Sequence, residues 1–209
     1  LSERLPPAQV TRLINTYLTP VTDCIMRHGG YVDKYIGDGV MAVWGAPFPN
    51  PQHATDACRA ALEQQQLLQQ LNPALQREFG FPLRVRMALN SGLVTAGNMG
   101  SHQRLQYTVM GDTVNLTSRL EPVNDDYGTR IIIGDATRQQ LQGALVTRWL
   151  DTIVVAGRSE PERIHELVGL PAAVPEAERQ RIAAYEQALT HYTHREWAAA
   201  LAILEALLA

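Results

Sequence analysis

Residues 29–45 have the sequence GGYVDKYIGDGVMAVWG, in which two short apolar runs flank a glycine-rich turn. The runs, 31–36 and 40–44, are rich in β-branched and aromatic side chains, a composition typical of strands. Asp38 lies between the two glycines of the turn, and glycine is the residue that adopts the positive φ angles of tight hairpins. The stretch therefore predicts a β-hairpin with Asp38 at its tip.

Hydrophobic periodicity on either side of this hairpin predicts an alternation of helices and strands. Apolar residues three and four positions apart are typical of amphipathic helices, and alternating or continuous apolar runs are typical of strands. The predicted helices cover residues 8–28, 53–71, 113–127 and 136–142. The predicted strands cover residues 83–89, 93–97, 105–110, 131–133, 146–155 and 163–168. This order predicts an α+β fold in which helices cover one face of a mainly antiparallel sheet.

The last part of the chain has a different pattern. Prolines in residues 169–176 indicate a linker. Residues 177–209 then carry two helical patterns joined by a short polar break, which resemble one helical hairpin of the tetratricopeptide kind. Because one such hairpin cannot bury its own apolar face, it either begins an array of repeats or packs on residues 1–168.

The composition describes an ordinary globular protein. The 209 residues are 45% hydrophobic and 19% charged, with a formal net charge of -3. This mildly acidic balance argues against broad electrostatic binding of nucleic acid or of an anionic membrane surface. No apolar run approaches the roughly 20 residues of a membrane-spanning helix. Cys24 and Cys58 lie in helical patterns without the spacing of a zinc site, which indicates buried free thiols.

Two residues of the hairpin carry candidate chemistry. The glycines beside Asp38 leave its carboxylate open to a hard cation such as Mg²⁺ or Mn²⁺, although aspartate is also a common turn residue with no further function. Lys34 is the only lysine among 18 basic residues. It is either a compact hydrogen-bond donor that arginine could not replace, or a solvated charge that protects a strand edge.

A second region, residues 107–119, has the sequence YTVMGDTVNLTSR. Asn115 and Arg119 are four positions apart, so their side chains lie one helical turn apart on the same face. A carboxamide beside a guanidinium is suited to a sugar hydroxyl and a polyphosphate. The alternative is an exposed asparagine beside an arginine that forms an ion pair with Glu121 or Asp126.

Several ordered motifs together resemble the catalytic domain of the class III nucleotidyl cyclases, the adenylyl and guanylyl cyclase family. The resemblance runs from Leu1 to about Val168 and implies a ferredoxin-like βαββαβ core. The motifs that carry it are SERL at 2–5, the stretches 29–45 and 107–119, AGNMG at 96–100 and GRSEP at 157–161. A diguanylate cyclase shares the βαββαβ plan, but its Gly-Gly-Asp/Glu-Glu-Phe turn is missing from this sequence.

The resemblance implies that the ribose 3′-hydroxyl of ATP attacks the α-phosphate and that pyrophosphate leaves, with two Mg²⁺ or Mn²⁺ ions per site. Asp38 matches the second of the two metal-binding aspartates. In the family the first aspartate belongs to a strand that precedes the SERL motif. The chain is therefore expected to lack its first strand, to hold metal weakly and to have little turnover.

The resemblance also assigns roles in substrate binding. Lys34 and Thr108 match the positions that choose the base, and a lysine with a threonine points to adenine, whereas guanylyl cyclases usually place a glutamate at the lysine position. Asn115 matches the residue that orients the ribose. Arg119 matches the residue that stabilises charge on the transferring phosphorus.

Two loops depart from the family pattern. The late Lys-Gly-Lys of many relatives is replaced by AGR at 156–158, and the loop before Tyr107 keeps one basic residue where many relatives carry two. Arg158 and Arg104 are therefore the candidate contacts to the triphosphate.

The resemblance further implies a head-to-tail homodimer with two equivalent sites. Asp38 of one protomer is expected to face Lys34, Thr108, Asn115 and Arg119 of its partner. We expect the full-length protein to carry an upstream sensor or membrane domain and to act in signal transduction. The catalytic domain is expected to lie in the cytoplasm. The alternative is a non-catalytic regulatory dimerisation module that keeps the nucleotide pocket.

Overall fold

The computed structural model describes residues 5–208 of the chain. Residues 2–4 of the SERL motif and Ala209 at the end of the predicted hairpin therefore lie outside the described residues. The helices are α1 (Pro7–Arg27), α2 (His53–Phe79), α3 (Asp112–Leu120), α4 (Val123–Tyr127), α5 (Asp135–Gln140), α6 (Glu176–Thr193) and α7 (Trp197–Leu208). The strands are β1 (Tyr31–Ile36), β2 (Gly39–Val43), β3 (Met87–Leu89), β4 (Thr95–Ser101), β5 (Arg104–Met110), β6 (Ile131–Gly134), β7 (Val146–Ile153) and β8 (Glu162–Gly169).

The strands form one sheet and two separate hairpins. The sheet has the order β3-β6-β8-β7, with β3 parallel to β6 and the other two pairs antiparallel. β1 pairs with β2, and β4 pairs with β5, each as an antiparallel hairpin. The predicted α+β fold with a mainly antiparallel sheet is confirmed, as is the hairpin predicted at residues 29–45.

Helices cover both faces of the four-stranded sheet, so the expectation that they cover one face is wrong. Ile131 and Ile133 of β6 pack in a buried cluster with Cys58 of α2. Ile132, between them, packs on the opposite side with Leu116 and Leu120 of α3. Successive side chains of a strand point to opposite faces, so three consecutive buried isoleucines require a helix on each side.

Several predicted elements differ in extent from the observed ones. α2 continues to Phe79 rather than ending near residue 71, because the apolar side chains of Leu75 and Phe79 pack against Leu13 of α1. The helix predicted over 113–127 is interrupted after Leu120 and divides into α3 and α4. The strand predicted over 83–89 shrinks to β3 because the Asn72 side chain bonds both the amide and the carbonyl of Leu83, at 2.8 and 3.0 Å.

A cleft separates the β1–β2 hairpin from the four-stranded sheet. β2 pairs only with β1, and β3 pairs only with β6, among the strands of residues 5–208. Their other edges line a cavity of about 680 Å³ that also contacts Ala57 and Ala61 of α2. The cleft therefore lies between two strand edges whose backbone groups have no sheet partner.

The C-terminal hairpin packs on the main domain through its first helix. The Trp149 backbone amide of β7 donates to Glu186 Oε1 at 2.7 Å, and the Tyr185 hydroxyl donates to the Leu150 carbonyl at 3.4 Å. In α7, by contrast, Trp197 and Leu201 are each 56% exposed. No helix within residues 5–208 has the length and apolar character needed to cross a membrane.

A buried histidine predicts how stability depends on pH. His165 of β8 is 5% exposed and its Nε2 lies 3.0 Å from Asp135 Oδ1, whereas its buried Nδ1 has no partner among the described residues. Burial lowers the pKa of His165 below its ordinary value of 6.5 because desolvation disfavours the imidazolium, although Asp135 opposes this shift. The unfolded chain therefore binds the extra proton more readily.

We expect the free energy of unfolding to fall as pH decreases below about 6.5, with a slope of at most about 1.4 kcal/mol per pH unit from this one group. Urea unfolding of the wild-type chain and of His165→Gln at several pH values measures the slope, which the variant should reduce. His102→Gln, at an exposed position, is the control and should keep it. Equal slopes in wild type and His165→Gln would contradict the assignment.

Candidate active site

Asp38 is presented at the tip of the β1–β2 hairpin. Ile36 pairs with Gly39 across the turn, and Gly37 has a φ of +63°, in the region that favours glycine. The Asp38 carboxylate is exposed and forms no hydrogen bond or ion pair with any residue in 5–208. Burial of Tyr17 and, as the smaller cause, the negative charge of Asp38 raise the pKa of the Tyr17 hydroxyl to about 12. Asp38 is thus not occupied in stabilising its own turn, and its oxygens are available to a ligand.

The donor chemistry at Asp38 fits a magnesium or manganese ion, but it is incomplete. Mg²⁺ is commonly held by one or two carboxylates together with water and substrate phosphate oxygens. Asp38 supplies one carboxylate and lines the cavity between β2 and β3. A second carboxylate on a segment within that cavity would complete such a set.

Lys34 and Thr108 are brought together by the approach of β1 to β5. Lys34 Nζ donates to Thr108 Oγ1 at 3.1 Å, although the residues are 74 positions apart. Beside them the Tyr31 and Tyr107 rings meet edge to face, with centroids 5.7 Å apart. The ammonium group is therefore fixed by a specific contact, so Lys34 is not a freely solvated edge charge.

Asp33 lies beside these two candidate residues, although the sequence alone did not single it out. Its side chain is fully buried and its Oδ2 accepts a hydrogen bond from Thr108 Oγ1 at 2.6 Å. The β1–β2 register shifts between Val32 and Lys34, which makes Asp33 the extra residue of a β-bulge. The available signal was a pair of adjacent charged residues, Asp33 and Lys34, in a strand whose other four residues are apolar or aromatic.

Asn115 and Arg119 lie one turn apart on α3, as predicted. Arg119 forms no ion pair with any described residue, and Glu121 instead pairs with Arg86 at 2.9 Å. The alternative is therefore wrong for Arg119, which pairs with neither Glu121 nor Asp126, whereas Asn115 is exposed as that alternative predicted. A Cβ placed on Gly157 would lie 3.2 Å from Arg119 Nη2, so the guanidinium packs on this loop.

The two candidate phosphate-binding arginines differ in position. Arg158 Nη2 lies 3.1 Å from Asp112 Oδ2, which fixes the loop after β7 to the first residue of α3. Arg104 is exposed at the far end of β5, six residues before Met110, or about 20 Å along an extended strand. The structure brings Arg158 to the Arg119 region but does not bring Arg104 to it within one chain.

One further cluster has the residue types of a metal site. Cys24, His28 and Glu63 place their ligand atoms within 4.8 Å of one another. His28 Nε2 bonds Glu63 Oε2 at 2.7 Å, and Arg27 bonds the other carboxylate oxygen. Burial raises the pKa of the Cys24 thiol to about 11, so the sulfur stays protonated. The cluster joins α1 to α2 by hydrogen bonds, and the prediction that Cys24 and Cys58 are buried free thiols is confirmed.

Residues 1–167 match the family described as the adenylate and guanylate cyclase catalytic domain. The chain is 38% identical over 175 residues to adenylate cyclase 1 of Rhizobium meliloti, covering 83% of this chain and 26% of that protein. It is 31% identical over 174 residues to an adenylate cyclase of Anabaena cylindrica, covering 80% of this chain and 34% of that protein. The chain thus spans about a quarter to a third of the length of these relatives.

Solved structures give the same likeness. The crystal structure of the adenylyl cyclase CyaB from P. aeruginosa superposes with a TM-score of 0.76 at 29% identity, covering 83% of this chain and 89% of that one. The crystal structure of the guanylyl cyclase Cya2 superposes with a TM-score of 0.75 at 31% identity, covering 82% and 86%. Structures of both nucleotide specificities therefore resemble the chain closely.

Proposed function

We propose that this chain, which belongs to the adenylate and guanylate cyclase catalytic domain family, is the catalytic domain of an adenylyl cyclase. The reaction would convert ATP into cyclic AMP and pyrophosphate. The observation that carries the choice of ATP is the hydrogen bond from Lys34 Nζ to Thr108 Oγ1 at 3.1 Å. It brings together, on one protomer, a cationic donor and a hydroxyl at the two positions that would read the base.

The two purine bases present opposite groups to such a pair. Adenine offers an acceptor at N1 and a donor at the exocyclic N6 amine, whereas guanine offers a donor at N1 and an acceptor at O6. Lys34 can only donate, and Thr108 can accept through its oxygen. Adenine satisfies both side chains, while guanine would leave a donor facing a donor at N1.

The chemical step would join the ribose 3′-oxygen to the α-phosphorus and break the bond from that phosphorus to the pyrophosphate oxygen. The hydroxyl proton is released, and both electrons of the broken bond leave with pyrophosphate. Asn115 would hold the ribose so that its 3′-oxygen approaches in line, and Arg119 would stabilise negative charge on the phosphoryl oxygens. Arg158, fixed against α3, is better placed than Arg104 to contact the triphosphate.

Asp38 would hold divalent cations, Mg²⁺ or Mn²⁺ and two per site, which when bound supply neutralisation of the triphosphate and acidification of the 3′-hydroxyl. A single carboxylate is a weak site, so the first metal-binding aspartate would have to come from elsewhere. The unpaired edges of β2 and β3, and the position of Asp38 on the cavity between them, support an upstream strand as its source.

We further propose the head-to-tail homodimer. Within residues 5–208, Asp38 forms no hydrogen bond or ion pair with Lys34, Thr108, Asn115 or Arg119, which supports a site shared between two protomers. The relatives are several times longer than the chain, which supports an additional sensor or membrane domain with the cyclase domain in the cytoplasm.

The double substitution Lys34→Glu with Thr108→Cys tests the choice of base. We expect the ratio of kcat/KM for ATP to that for GTP to fall about 100-fold, because two contacts worth roughly 1.4 kcal/mol each are reversed. The measurement is turnover of each nucleotide with Mn²⁺ in protein that carries the upstream strand. The control is Tyr35→Phe, on the same hairpin as Lys34, which removes a hydroxyl that is hydrogen-bonded to Thr22 of α1. Unchanged selectivity in the double variant would show that these side chains do not read the base.

A further inference from the structure

A buried carboxylate lies directly behind the pair that would read the base. Asp33 Oδ2 is 2.6 Å from Thr108 Oγ1 and 3.6 Å from Lys34 Nζ, and its side chain has no exposed surface. Gln106 Nε2 donates to Asp33 Oδ1 at 3.3 Å and to the Asp33 carbonyl at 2.9 Å. Burying a charge is costly unless it is paired and hydrogen-bonded, and these contacts provide that compensation.

The contacts determine where the Thr108 proton points. An ionised carboxylate only accepts hydrogen bonds, and an ammonium only donates them. In the 2.6 Å contact the hydroxyl must therefore be the donor to Asp33, whereas in the 3.1 Å contact its oxygen must be the acceptor from Lys34. A hydroxyl has one proton and two lone pairs. One lone pair of Thr108 remains for a ligand, and no proton does.

We propose that Asp33 is a positioning residue that makes Thr108 an obligate acceptor and thereby enforces selection of a 6-amino purine over a 6-oxo purine. This inference rests on the proposed function. A threonine hydroxyl that could rotate would donate to guanine O6 as readily as it accepts from adenine N6. When its proton is donated to Asp33, the Thr108 hydroxyl can still accept from the N6 amine of adenine. Its remaining lone pair would face a lone pair of guanine O6, which is unfavourable.

The β-bulge explains how one short strand supplies both groups. In a regular strand the side chains of Asp33 and Lys34 would point to opposite faces. The register shift between Val32 and Lys34 places Asp33 outside the regular pairing, so that both side chains reach Thr108 on β5. Bulges of this kind re-aim a side chain beside functional sites.

Asp33→Asn tests the proposal by changing the proton arrangement with little change in shape. Gln106 donates to the Oδ1 position, which favours the oxygen of the new amide there and its NH₂ group toward Thr108. The Thr108 hydroxyl then accepts from that NH₂ group, and its own proton becomes free to donate to O6. In protein that carries the upstream strand, we expect the ATP to GTP ratio of kcat/KM to fall at least about tenfold, mainly through KM.

Asp33→Ala removes the acceptor without adding a donor, so it should also lower the ATP to GTP ratio of kcat/KM. It provides a second test in case the asparagine variant does not fold. In a Thr108→Val background Asp33→Asn should leave the ratio unchanged, because the hydroxyl through which it acts is gone. The matched control is Asp151→Asn. Asp151 lies on β7, and its carboxylate accepts a hydrogen bond from the Tyr127 hydroxyl at 2.8 Å. This substitution should preserve the ratio.

The outcomes separate the inference from the proposed function. If the unsubstituted protein prefers ATP and the Asp33 variants keep that preference, the positioning role is overturned while the adenylyl cyclase assignment stands. The role is also overturned if Asp33→Asn has the same effect with and without the Thr108 hydroxyl. If the unsubstituted protein turns over GTP as well as ATP, the proposed function itself fails.

Discussion

Extending the chain by an upstream strand that carries an aspartate is expected to raise ATP cyclisation at least about 1000-fold, equivalent to about 4 kcal/mol of transition-state stabilisation. The strand would pair with the free edges of β2 and β3 and place its carboxylate in the cavity that Asp38 lines. Two carboxylates hold a divalent cation far better than one. Formation of cyclic AMP with Mn²⁺, at a protein concentration high enough for dimers, measures the effect.

The same extension with asparagine in place of the aspartate is the decisive control. It should fill the cleft and raise Tm as the active extension does, yet leave turnover near that of the 209-residue chain. The effect of filling the cleft on Tm is thereby separated from the effect of the second carboxylate on turnover. Full activity of the unextended chain would contradict the proposal, and an extended protein that folds, dimerises and stays inactive would favour the regulatory-module alternative.

In protein that carries the upstream strand, Arg119→Ala is expected to lower kcat for ATP at least about 100-fold with little change in KM, since its guanidinium would act on charge that develops in the transition state. Arg12→Ala is the matched control, because Arg12 is an exposed arginine of α1 whose partner is Glu78. Turnover close to wild type in Arg119→Ala would remove this residue from the mechanism.

Mixing Arg119→Ala with Asp38→Asn extends the experiment to the shared site. Each variant alone should be inactive, because both of its sites lack one essential group. In an equal mixture half of the dimers are mixed, and each mixed dimer has one intact site of two, so about one quarter of wild-type activity should return. A mixture as inactive as its components would contradict the head-to-tail arrangement.

The sequence predicted the fold where local chemistry decides the structure. The β1–β2 hairpin follows from its glycines and its β-branched residues, and the helical hairpin follows from its periodicity. The prediction was wrong where a distant contact decides. The sequence near Leu83 does not indicate that the Asn72 side chain bonds its backbone amide and carbonyl. The apolar run at 131–133 predicts a buried strand but does not show which helices cover its two faces.

The site was predicted by resemblance more than by spacing. Lys34 and Thr108 are 74 positions apart, and no local rule places them in contact. Asn115 and Arg119 could be paired from helical geometry alone. Asp33 was missed because strand alternation assigns it to the face opposite Lys34, and the bulge that overrides this alternation appears only in the register between β1 and β2.

The cleft between β2 and β3 also predicts how residues 1–209 alone would behave in concentrated solution. Unpaired strand edges are templates on which other chains add strands, and proteins ordinarily protect them with charge, proline or a covering element. The edge of β2 is the run Gly39–Val43, which carries neither charge nor proline. Copies of the chain that exchange strands across this gap would aggregate, so an occupied cleft would protect solubility as well as complete a metal site.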